Sequence, residues 1–206
     1  MRNFMQLLKK KKEPVSQKAS LAPNPVCYYN IHQSKAFHDF VLQLTLLKEK
    51  IQSAHQMPIF LCIGSDRATG DCFGPIVGNK LLHAFAKSRK LSSLPIIYGT
   101  LSSPVHAVNL ASTIEQIHTT FDNPYIIAID ASLGIRQHIG YVTFGAGPLL
   151  PGIGVQKDLP YIGNSAITGI VNLAGQNSHT TLQTTRLSTV VELSSFVSNA
   201  IIEVYS

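Results

Sequence analysis

The chain has 206 residues, 45% of them apolar and 14% charged, with no tryptophan and three cysteines. That is enough chain and enough apolar content for one globular domain with an ordinary core, and it excludes collagen-like, disordered and disulfide-scaffold classes. The net charge of +6 is concentrated at one end: Arg2, Lys9, Lys10, Lys11, Lys12 and Lys18 against Glu13 give residues 1–20 a charge of +5, so the body is nearly neutral and has no basic stripe of the kind that binds nucleic acid.

Residues 1–27, with Pro14, Pro23 and Pro25 among Lys and Ser, read as a flexible basic tail. Weak attraction to nucleic acid or an anionic surface is the most its charge supports. The basic run Lys9–Lys12 follows the short apolar patch Phe4–Leu8 instead of preceding a long one, which is the wrong order for a secretion signal. No stretch approaches the roughly 20 apolar residues of a membrane span. Cys27, Cys62 and Cys72 are odd in number and contain no CxxC pair, which fits a reducing compartment, and the expected location is the cytoplasm. Residues 28–206 are expected to form a single α/β domain.

Within that domain, Phe37, Phe40, Val41, Leu44, Leu47 and Ile51 recur at helical spacing, which predicts a helix over 35–52 with Ser34 as its N-cap. Ile59–Ile63 is a short apolar run suited to a strand buried on both faces. A polar turn follows, and Pro75–Leu91 reads as a helix with its proline in the first turn. Pro95–Tyr98 is a second strand, His106–Phe121 a helix, and Pro124–Ser132 a third apolar strand. Ile139–Gly145 alternates as an antiparallel or edge strand would. The Gly/Pro-rich stretch from Ala146 to Gly163 precedes a strand at Ala166–Leu173 and a last helix at Leu187–Val204. Uniformly apolar strands alternating with helices predict a three-layer, doubly wound, mainly parallel sheet with helices on both faces.

Ligands of such sheets bind beyond the carboxyl ends of the strands. Those ends carry Asp66 and Asp71 after the first strand and Asp130 at the end of the third. If the two strands are neighbours, Asp71 and Asp130 converge on one crevice, where paired carboxylates push their proton affinities apart and serve as acid and base. The same pair could instead hold a divalent metal. The bland alternative is that Asp71 caps the helix entered at Gly74-Pro75, and that Asp66 makes a loop salt bridge with Arg67. His106 is the one histidine placed near the crevice, with a capping role as its alternative. Cys72 beside Asp71 is a poor nucleophile, because a neighbouring carboxylate disfavours the thiolate. The stretch Gly147–Gly169, which holds Lys157, is long enough to form a rim over the site. No dinucleotide fingerprint, P-loop or nucleophile elbow is present.

The blocks IGSDRATGDCFGPIVG, TLSSPVHAVNL, IIAIDASLG, PGIGVQKDLPYIGNSAITGIVN and LQTTRLSTVVEL resemble, in this order, the YyaC-type sporulation proteins of endospore-forming bacteria. Those proteins look like relatives of the germination protease that degrades small acid-soluble spore proteins and of hydrogenase maturation peptidases, on a phosphorylase/hydrolase-like fold. The protease motif T-P-D-x-L-G-P is similar to Thr69–Pro75 here, with Gly70 in place of proline, and its A-[IV]-D-A motif is matched by Ala128–Ala131. The resemblance implies a sporulation peptidase with Asp71 and Asp130 catalytic and a protein or peptide substrate such as a small acid-soluble spore protein; Asp66, His106 and Lys157, by their places around the crevice, are candidate supporting or substrate-binding residues. In the maturation peptidases the matching acids bind a metal. The alternatives are a metal-dependent peptidase using Asp71 and Asp130 as ligands, and a non-catalytic sporulation protein that binds a peptide or metal in the same crevice.

Overall fold

The structure is a computed structural model and describes residues 25–87, 94–149 and 162–206. Six strands form one sheet: β1 (Val26–Asn30), β2 (Met57–Cys62), β3 (Ile96–Tyr98), β4 (Pro124–Gly134), β5 (Tyr141–Gly145) and β6 (Ser165–Leu173). Their order is β1-β5-β6-β4-β2-β3. The pairs β2–β3, β2–β4 and β4–β6 are parallel, while β5 is antiparallel to both of its neighbours, so β5 alone runs against the rest. The helices are α1 (Ala36–Ser53), α2 (Phe73–Phe85), α3 (Leu110–Thr120), α4 (Ser178–Gln183) and α5 (Leu187–Tyr205).

Side-chain alternation along the central strands builds the two halves of the core. Phe60, Cys62, Ile127, Ile129, Val142, Phe144, Ile167 and Val171 face α1, α2 and α5. Ile59, Leu61, Ile63, Ile126 and Ala128 face α3, which contributes Leu110 and Ile117. Because β2 and β4 are covered on both sides, every residue from Ile59 to Ile63 and from Tyr125 to Ile129 is buried, the burial that a run without polar alternation requires. The fold is thus the α/β class expected: a mainly parallel sheet between two helical layers.

The helix α5 has 19 residues and is long and apolar enough, by length and composition, to cross a bilayer. Its stripe Val190, Leu193, Val197, Ala200 and Ile201 is packed into the core, the placement of an amphipathic core helix.

Several elements differ from expectation. The strand β1 starts inside the segment expected to be tail, because Val-Cys-Tyr-Tyr is rich in strand-forming side chains and finds β5 as a partner from Val26↔Gly145 to Asn30↔Tyr141. The first helix starts at Ala36 after Lys35 with no side-chain cap, so Ser34 is not its cap. The third helix starts at Leu110, because Asn109 takes up the turn before it: its side chain accepts from the His106 N–H at 2.8 Å and donates to the Pro104 carbonyl at 3.0 Å. Leu149 and Ile162 hydrogen-bond each other in both directions at 2.8 Å. Residues 150–161 between them, including Lys157 and most of the expected rim, lie outside the described residues, as do residues 1–24 of the tail.

Candidate functional site

The strand β2 stops because the chain turns sharply at Gly64, whose φ of 134° is open to glycine and strained for other residues. A Cβ at Gly64 would lie 2.1 Å from the Asp71 carbonyl oxygen, so the turn and Asp71 are packed backbone to backbone. Asp71 sits in a single 3-10 turn, Gly70–Cys72, ahead of α2. Its Oδ2 accepts the Ser65 N–H at 2.8 Å. The carboxylate therefore closes the turn back onto the end of β2; it does not cap α2, whose N-cap residue Cys72 makes no side-chain cap either.

The strand that leads into the Asp71 turn and the strand that carries Asp130 are neighbours. The ladder between β2 and β4 runs from Met57↔Pro124 to Cys62↔Ile129, and the Ile63 N–H donates to the Ile129 carbonyl at 2.7 Å. Asp130 is the next residue, the first of β4 beyond the reach of β2. It does not end its strand: β4 continues to Gly134, paired with β6. Asp130 lies opposite Thr168, which lies opposite Thr143, so all three share one face of the sheet. Thr143 and Thr168 are joined through their hydroxyls at 2.6 Å, and the Ser132 hydroxyl donates to Thr168 Oγ1 at 3.2 Å. A row of hydroxyls thus leads away from the carboxyl.

Both carboxyls are pushed above the ordinary carboxylate range. For Asp130 the shift is large, caused first by burial and then by the charge of Asp71, against which the Ala131 N–H, donating to Oδ1 at 2.8 Å, is a partial offset. Asp71 is raised by burial and held down by the Ser65 N–H and hydroxyl and by the charges of His106 and His179. The pair is therefore electrostatically coupled and asymmetric. Asp130 is the member that keeps a proton, and Asp71 the member that gives one up first.

His106 acts on its own turn and on the site. Its Nδ1 accepts the Val108 N–H at 3.3 Å, which puts the proton of the neutral ring on Nε2, and in its charged form it favours ionised Asp71. His179 carries no signal in the sequence. It is brought to Asp71 by α4, and α4 packs on the Asp71 turn, where Leu182 and Thr185 leave no room for a side chain at Gly70. The one local mark of this element is Asn177, whose side chain caps the helix by accepting the Thr180 N–H at 3.4 Å. Asp66 is exposed and, among the described residues, has no ion pair with Arg67; its charge acts on the Cys72 thiol, which burial, Asp66 and Asp71 all push up. Among the described residues no three His, Cys, Asp or Glu side chains form a group able to hold a metal ion. Asp71, Asp130 and the two histidines are suitable donors in type, but in this geometry they do not make a ligand set.

A mainly parallel sheet between helical layers, with one carboxyl in the turn after β2 and its coupled partner on β4 where pairing with β2 stops, defines an open α/β protein. The particular family is shown by comparison: residues 28–200 match the model described as "Protein of unknown function (DUF1256)", and the chain belongs to that family. It is 44% identical over 158 residues, 76% of this chain and 74% of the other, to "Uncharacterized protein YyaC" of Bacillus subtilis (strain 168). Among solved structures, the NiFe hydrogenase maturation protease HycI from Thermococcus kodakarensis KOD1 aligns with a TM-score of 0.49 at 16% identity, covering 73% of this chain and 92% of that one.

Proposed function

We propose that the chain is a sporulation-associated peptidase in which Asp71 and Asp130 activate a water molecule against a peptide carbonyl. The observation that carries the reading is the coupled, asymmetric carboxyl pair formed by Asp71, in the turn after β2, and Asp130, on the adjacent parallel strand β4 where its pairing with β2 stops. Asp71, ionised first, takes a proton from water as the water oxygen bonds to the carbonyl carbon. Asp130 gives its proton to the carbonyl oxygen. Collapse of the resulting diol breaks the C–N bond, and the proton on Asp71 passes to the leaving amine while Asp130 regains its own. No step is assigned to a metal or to the exposed Asp66. Small acid-soluble spore proteins are the substrates to try first, on the strength of the motif resemblance, and the cytoplasm of the sporulating cell or the spore interior is the place of action.

The test is cleavage of peptides tiling a small acid-soluble spore protein, followed by chromatography across a range of pH. The expected profile of kcat/KM is a bell with both limbs above the ordinary carboxylate value of about 4: activity rises as Asp71 ionises and falls as Asp130 loses its proton. Asp71→Asn lowers kcat by about 10²- to 10⁴-fold, the usual worth of a positioned base. His179→Gln removes a charge that favours ionised Asp71, so the acid limb moves to higher pH while the alkaline limb stays in place. Binding without cleavage by the native protein would instead assign the crevice to a non-catalytic peptide-binding protein.

A further inference from the structure

The ladder of the sheet is incomplete beside Asp130. The strand β2 pairs with β4 only as far as Ile129, and after the turn at Gly64 nothing among the described residues pairs with that edge of β4 over Asp130–Gly134, where β6 alone is its partner. The direction of each backbone group follows from two bonds. The Ile129 carbonyl faces β2, since it accepts the Ile63 N–H, and the Gly134 carbonyl faces β6, since it accepts the Ala174 N–H at 2.7 Å. In a strand the N–H and C=O of one residue point to one side and those of the next to the other, so Ala131 and Leu133 face the open side. The Ala131 N–H, lacking a strand partner, turns to Asp130 Oδ1 at 2.8 Å. Among the described residues, the Ala131 carbonyl and both backbone groups of Leu133 have no hydrogen-bond partner on that side.

We propose that an extended polypeptide segment adds as a strand to this open edge of β4, taking the place that β2 vacates at Gly64. The occupant is the segment carrying the bond to be cut, so the inference rests on the peptidase reading and gives it a mode of substrate binding. About five residues of free edge provide roughly 17 Å of docking length, and backbone pairing of this kind recognises extended chain with little demand on sequence. The end of the open edge is set by Ile63, which already occupies the next ladder position. A docked segment must leave the sheet there, beside Asp130 and Asp71, and the bond presented to the carboxyls is the one at that exit. Side chains of the docked segment alternate between the Ser132 face and the face of α4.

The test uses Asp130→Asn protein, which binds without turnover, and a fluorescein-labelled degenerate pool of peptides about ten residues long, since pairing through the backbone tolerates many sequences. Bound peptides are sequenced, and the most enriched one is synthesised for fluorescence anisotropy. Adding Leu133→Pro removes the Leu133 N–H at an edge position, where proline does not break a ladder bond within the sheet; adding Leu133→Ala shortens the side chain while keeping the N–H. Affinity is expected to fall by about tenfold more in the proline variant than in the alanine variant, the worth of one to two hydrogen bonds. Methylating the peptide's backbone nitrogens one at a time is expected to weaken binding at every second position, a readout that does not depend on the variants folding. No enrichment from the pool, or binding insensitive to methylation or weakened without a two-residue period, would overturn strand addition. If the alternating pattern appears but native protein cleaves nothing, the docking mode stands and the peptidase reading falls; cleavage with no alternating pattern leaves the peptidase reading standing and removes strand addition.

Discussion

Asp130→Asn is expected to raise the thermal midpoint at neutral pH while it removes hydrolysis. The folded protein holds the Asp130 proton far more tightly than an unfolded chain does, because burial and the neighbouring Asp71 charge both disfavour the carboxylate. A carboxyl whose folded-state pKa lies above its unfolded value near 4 contributes stability that is fully present below that value and is lost as pH rises through the folded pKa. At neutral pH the native protein carries that cost and an uncharged asparagine does not. The gain is expected to be on the order of 1 kcal/mol or more, about 2–4 °C per kcal/mol in a chain of this size, allowing for the part of the carboxyl that remains accessible. Thermal melts from pH 3 to pH 8 check the sign: the two curves should meet near pH 4 and separate above it. A variant less stable than native protein at pH 7 would mean that Asp130 is held as a stabilised anion, and the acid role proposed for it would go. Asp71→Asn should show the same sign with a smaller gain, because Ser65, His106 and His179 already favour its charged form.

The opposite trend, a large loss of stability, is expected at Gly99. Its φ is 85°, and a Cβ there would lie 1.8 Å from the Cys62 carbonyl oxygen. The contacts beside it are nearly as close: a Cβ at Gly78 would lie 2.0 Å from the Gly99 carbonyl oxygen, and one at Gly74 would lie 2.1 Å from that of Ile63. These are backbone neighbours that cannot rotate away, so α2 and the turn after β3 seat on the end of β2 with no side chain between them. That close seating is also what sets the Asp71 turn against β4. Gly99→Ala combines a strained φ with an overlap in a packed core and is expected to cost about 3 kcal/mol or more, or roughly 6–12 °C in the midpoint. Gly175→Ala is the matched control, since nothing lies within 4 Å of its Cβ position, and it should change stability by less than about 0.5 kcal/mol. Equal effects at the two positions in calorimetry would contradict the packing described.

Much of this protein is legible one segment at a time. The unbroken apolar runs of β2 and β4 already require cover on both faces, and the spacing of Leu44, Leu47 and Ile51 in α1, or of Val190, Leu193 and Val197 in α5, already assigns their buried stripes. Asp71 stands out for a local reason as well, lying in the polar turn between an apolar strand and the Gly74-Pro75 helix entry. Hydrophobic period and turn chemistry are properties of neighbouring residues, so sequence carries them directly.

The remainder depends on contacts between distant segments. Whether β2 and β4 are adjacent, so that Asp71 and Asp130 couple, is a matter of strand order. The arrival of His179 depends on α4 docking against Gly70, more than one hundred residues away in the chain. The raised affinities for protons arise from burial that exists only once both helical layers are in place. The open edge of β4 has the same origin: two neighbouring strands stop at different points, Cys62 and Gly134, and neither segment alone specifies the difference. Strands, helices and the two aspartates are therefore written locally along the chain. Which groups meet is settled on folding, because pairing and desolvation are set by segments far apart in the sequence.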